Sequence, residues 1–150
     1  MTQLSPNFTL DEFVASDTAA MLGIDNTPPP DELACLEILA DTMEKVRSLL
    51  GDKPITINSG YRCYELNVAC GGADDSAHLS GLAADFVCPE FGTPLDICYV
   101  LEPHMLELGI DQLIWEYEGW VHLGLTAGDA RCQCLTINDS GTSEGLPDAV

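Results

Sequence analysis

Between Asp31 and Leu50 the apolar residues Leu36, Leu39, Met43, Val46 and Leu50 recur at alternating steps of three and four, which is one buried face of a long helix. Gly51 ends it. Upstream, Thr9 and Glu12 form a capping box that opens a short helix ending near Ser16, and a loop then runs to Pro28, Pro29 and Pro30. Residues 54–58 read as a strand, and Ser59 and Gly60 as a turn. Arg62 to Cys70 reads as a short helix, and Leu82 to Val87 as a second strand. Thr93 and Pro94 supply an N-cap and a first-position proline for a helix to about Leu108, kinked at Pro103. Leu113 to Tyr117 and Val121 to Leu125 read as a hairpin whose loop is Glu118, Gly119 and Trp120. A last strand is expected over Cys132 to Ile137, and a polar, loose tail from Asp139 to Val150. Helices flanking a small antiparallel sheet give the class α+β, in a single domain.

Composition narrows what such a domain can do. At 150 residues the chain is long enough for one real core. No apolar run approaches the roughly 20 residues of a membrane span. The opening MTQLSPNFTLDEF has neither a basic nor an apolar leader segment, so the expectation is a protein that stays in the cytoplasm as synthesised. Five basic residues face 25 acidic ones, a net charge of −20. That excludes the phosphate neutralisation on which nucleic-acid binding depends, and it disfavours anionic membrane surfaces. Seven cysteines occur without any C-x-x-C pair, so they read as reduced thiols packed as small hydrophobes. The pair Cys132 and Cys134 would share one face of the last strand.

The candidate chemistry lies in SAHLSGLAADF, residues 76–86, and in the histidine that ends WVH. His78 and Asp85 stand seven positions apart, with His122 downstream. One carboxylate and two imidazoles suit Zn²⁺ and leave a fourth position open, as a catalytic zinc requires. Two unremarkable histidines, at the surface or satisfied in the core, are the plainer alternative. The expected hairpin loop places Glu116 directly across from His122, where a carboxylate not bound to the metal serves as a general base. Glu118 is the second choice. Arg62 draws attention because arginine is scarce here: it either grips a substrate carboxylate or makes a surface salt bridge. Asp74 and Asp75 read as a loop charge pair, with orientation of a ligand histidine as the alternative. His104 has no acidic partner pattern and reads as solvated.

The runs ITINSGYRC, LN at 66 and 67, GG at 71 and 72, SAHLSGLAADF and DQLIWEYEGWVH resemble the zinc peptidases that cut peptidoglycan stem peptides. These include D-alanyl-D-alanine carboxypeptidases and dipeptidases of the VanX/VanY type and L-alanyl-D-glutamate endopeptidases of phage endolysins. LSPNFTLDEFVAS and CLTINDSGT resemble the stand-alone phage form. The resemblance implies one Zn²⁺ held by His78, Asp85 and His122. It implies substrate contacts from Arg62 and Ser76, and a Hedgehog/DD-peptidase-like fold. The family's acid often stands three residues before the last histidine, where this chain has Gly119, so the resemblance assigns the base to Glu116.

The function expected is therefore hydrolysis of stem-peptide amide bonds by a monomer that reaches the cell wall after release. An inactive, zinc-containing virion or wall-binding module of the same fold is the alternative. A thiol-rich metal-storage or redox protein is a weaker one.

Overall fold

A computed structural model describes residues 2–148. Near the N-terminus, β1 (Gln3–Ser5) and β2 (Phe8–Thr9) form a small antiparallel pair. Thr9 then caps α1 (Leu10–Val14) through the expected capping box with Glu12. The segment read as a loop holds a further helix, α2 (Asp17–Leu22). Ser16 Oγ caps it by accepting from the Ala19 N–H, and Gly23 ends it in the left-handed conformation. The long helix α3 (Pro30–Leu49) buries Leu36, Leu39, Met43 and Val46, as its periodicity requires. It is followed by β3 (Thr56–Ser59), α4 (Tyr64–Ala69), a 3₁₀ turn over Ala77–Ser80, and β4 (Ala83–Val87).

Pro94 opens α5 (Pro94–Leu101) behind its Thr93 cap. Pro103 does more than kink the helix. The chain passes through a 3₁₀ turn at Glu102–His104 and restarts as α6 (Met105–Leu108). A helix-interior proline lacks an N–H and crowds the preceding turn, which accounts for the break. The strands β5 (Gln112–Glu116), β6 (Trp120–Gly124), β7 (Gln133–Asn138) and β8 (Gly141–Glu144) complete the chain order.

The class is α+β, as expected, but the main sheet is mixed. Its six strands run β3-β4-β6-β5-β7-β8, and β7 lies parallel to β5 while every other pair is antiparallel. The expected loose tail is in part an edge strand: β8 pairs with β7 from Leu135↔Glu144 to Asn138↔Gly141. Residues 149–150 of that tail lie outside the described residues. Cys132 precedes β7 with φ of 52°, so it does not share a strand face with Cys134. All seven cysteines carry free thiols.

The core lies between the helices and one sheet face, where Leu36, Leu39 and Met43 meet Phe86, Leu113, Val121 and Leu123. The side chains that alternate with these on β4, β5 and β6 point to the opposite face. Asp85, Glu116 and His122 belong to that second set. The helical layer therefore fixes the strands whose other face carries the polar residues.

Candidate metal centre

Register brings the candidate ligands together. Asp85 on β4 pairs directly with His122 on β6, so their side chains are cross-strand neighbours. His78 reaches the same point from the 3₁₀ turn preceding β4, whose N-cap Ser76 accepts a hydrogen bond from the His78 N–H at 3.2 Å. Gly81 ends that turn at φ 73°, and a Cβ there would stand 2.7 Å from the Glu32 carbonyl oxygen. Only glycine fits this junction between α3 and the ligand turn.

All three residues are buried, and one ligand atom from each lies within 4.8 Å of the others. His78 Nδ1 lies 2.7 Å from the Gly60 carbonyl oxygen. A carbonyl only accepts, so Nδ1 carries a proton and Nε2 is the ring nitrogen left to serve as a ligand. That Nε2 stands 3.4 Å from Asp85 Oδ2, while His122 Nδ1 stands 2.8 Å from Asp85 Oδ1. A bare imidazole lone pair facing a buried carboxylate is unfavourable unless a cation or a shared proton lies between them. The separations suit a metal, since ligands at about 2.0–2.1 Å from a tetrahedral Zn²⁺ stand roughly 3.3 Å apart. The bond to Gly60 is the outer contact that fixes a ligand histidine's tautomer. The donor set thus fits one zinc ion.

Burial alone would raise the Asp85 carboxyl, but the hydrogen bonds and charges of His122 and His78 outweigh it and hold the group far below the usual carboxylate range. The carboxylate is therefore ionised and ready as a ligand. Arg62 adds a third contact. Its Nη2 lies 3.4 Å from Asp85 Oδ2, its Nε donates to Ser59 Oγ at 3.0 Å, and its Nη1 donates to Asn67 Oδ1 at 3.3 Å. With its side chain only 14% exposed, Arg62 is no surface salt bridge.

Glu116 is on the expected face but not at the expected register. The hairpin loop is Tyr117 to Gly119, so Glu116 pairs with Trp120, and Ile114 stands across from His122. Glu116 is diagonal to the histidine, with Oε1 3.8 Å from His122 Nδ1. Burial first, then the Asp85 charge, push its carboxyl above the ordinary value, and His122, Arg62 and Trp120 only partly offset them. Glu118 is exposed in the turn, with φ of 57°.

Two readings of other charged residues change. The Gly60 carbonyl, not Asp74 or Asp75, orients the His78 ring. His104 has an acidic partner after all, Glu107 one turn on, at the surface and away from the site. Asn67 belongs to the LN run at 66 and 67, but nothing in the sequence assigned it a role. It is 1% exposed, accepts from Arg62 and donates to the Ala73 carbonyl, locking α4 to the loop before the ligand turn. A polar residue in a short helix gives no sequence signal of this kind.

Beside the metal centre runs a cleft of about 910 Å³. Glu116, His122 and Ser76 are among its lining residues, as are Arg131 and Asp111. Arg131 is fastened to Asp111 through two guanidinium nitrogens, at 2.7 Å and 3.1 Å. This clamp holds the loop after β6 as the cleft wall.

The sequence that builds this site is similar to known proteins. The Peptidase M15 family matches residues 6–124, and the chain belongs to that family. The zinc D-Ala-D-Ala carboxypeptidase of Streptomyces albus G is 46% identical over 43 residues. That stretch is 29% of this chain and 17% of that protein.

Proposed function

We propose that this chain is a zinc peptidase that hydrolyses amide bonds in peptidoglycan stem peptides. The observation that carries the reading is the buried set His78, Asp85 and His122 with Glu116 at 3.8 Å from it, beside a cleft of about 910 Å³ that Glu116 and His122 line. The acting substrate class follows the M15 family and the carboxypeptidase relative.

In this reading His78, Asp85 and His122 hold one Zn²⁺. When bound, the ion supplies Lewis-acid polarisation of an amide carbonyl and acidifies a water at its open position. Glu116 accepts the proton of the attacking water and passes it to the leaving amine, which would otherwise depart as an unstable anion. Arg62 keeps the Asp85 carboxylate oriented and adds positive charge beside it. Ser76 shapes the ligand turn and presents the cleft wall to substrate. Release of the wall in phage lysis is the role that the terminal segments suggest.

Elemental analysis of the purified protein, followed by an assay for amines released from purified peptidoglycan, tests this. One zinc per chain is expected. Amine release should stop with a chelator and return with added zinc. Stoichiometric zinc without cleavage of any stem-peptide bond would instead support a binding module.

A further inference from the structure

Trp120 presents a buried donor with nothing to do. Its indole Nε1 is the one buried side-chain nitrogen or oxygen without a hydrogen-bond partner among the described residues. A buried, unpaired donor is costly, so such an atom calls for a physical reason. Cross-strand pairing puts Trp120 directly opposite Glu116, with both side chains on the face that carries His122. The indole acts to lower the Glu116 carboxyl as a neighbouring donor, although no completed hydrogen bond joins the two. The Tyr117 ring packs against the indole with centroids 5.7 Å apart, which limits rotation of the ring.

We propose that Trp120 is a positioning residue, whose indole N–H donates to the Glu116 carboxylate and aims its other oxygen toward the metal centre. The inference rests on Glu116 being the base. A carboxylate on a flexible side chain samples several rotamers, and its approach of 3.8 Å to His122 is too long to hold it. A donor fixed by strand register and by an aromatic neighbour selects one of them. Apo hydrogen bonds in catalytic sites are often long and tighten only when substrate binds. An incomplete bond here is consistent with that.

Trp120→Phe keeps the ring and removes the N–H. In the zinc-loaded protein it should lower kcat about tenfold, the size of one charge-assisted hydrogen bond, with zinc content and KM unchanged. Added to Glu116→Ala it should cost nothing further. An undiminished kcat in Trp120→Phe, or a full tenfold loss that persists without Glu116, overturns the proposal. A second readout needs neither activity nor metal. The chain has two tryptophans, so two indole N–H resonances are expected in a ¹H–¹⁵N spectrum. Glu116→Ala should move the Trp120 signal and leave that of Trp115 nearly in place. An unmoved Trp120 signal overturns the contact. Full activity in zinc-loaded Glu116→Ala would remove the base itself. That failure is distinguished by the indole signal, which would still shift.

Discussion

In the proposed mechanism Glu116 is the residue on which the chemistry turns. Its carboxyl is raised by burial and by the charge of Asp85. A raised base is a stronger proton acceptor near neutral pH, but it must be ionised to work. Because its pKa lies above the ordinary value, the acid limb of the rate profile should begin above the usual glutamate range. Activity should be present at higher pH and fall as pH drops through that raised value, a course followed by kcat/KM measured against pH. Glu116→Ala should keep one zinc per chain and lose activity by about 10²–10⁴-fold, the usual contribution of a general base. Metal content and turnover measured on the same sample check both halves. At this scale the ligands were legible because His78 and Asp85 sit in one short motif. Asn67 and the Gly60 carbonyl were not, because one works through a helix packed on a distant loop and the other through backbone.

The hairpin carrying Glu116 shows what a pattern does and does not determine. Alternation placed Glu116 and His122 on one face, and that survives any loop that preserves the period of two, whereas Trp120, read as part of the loop, joins the strand and that same face. Direct opposition of Glu116 and His122 required the loop to begin at Glu118. The chain instead turns at Tyr117 and Glu118, with φ of 50° and 57°, and the Gly119 N–H donates to the Glu116 carbonyl at 3.0 Å. Such a turn favours Asn and Gly, which the sequence lacks at these two positions, so nothing announced it. Left-handed non-glycine residues cost of order 1 kcal/mol each. Glu118→Gly should therefore raise stability by about 1 kcal/mol in denaturant titration and leave turnover intact. A large loss of turnover would transfer the role of base to Glu118. Other elements were missed for related reasons. The strand β8 is exposed at every position and shows no alternation, and α2 is a six-residue helix marked only by Ser16 and Gly23.

For the molecule as a whole, the helical layer and the long face of α3 were readable, whereas the mixed sheet was not. Placing β7 beside β5 is a tertiary choice that no local period encodes. The seven thiols divide by environment. Cys70 is exposed, Cys88 and Cys98 are buried, and burial together with Glu102 pushes the Cys134 thiol up to about 12. Only thiolates react readily, so a disulfide-exchange reagent at pH 8 should label Cys70 rapidly. Cys88, Cys98 and Cys134 should stay silent until the protein unfolds, which peptide mapping of the labelled protein resolves. Rapid labelling of Cys134 in the folded state would contradict its half-buried setting and raised thiol.

The central claim is that the His78–Asp85–His122 centre, with Glu116 as base, hydrolyses stem-peptide amide bonds. Mass spectrometry of purified peptidoglycan digested by the zinc-loaded protein tests it most directly. Shortened stem peptides are expected, each gaining one water at a single type of amide bond, and none with equally zinc-loaded Glu116→Ala. Unaltered stem peptides in the presence of fully zinc-loaded, folded protein would contradict it.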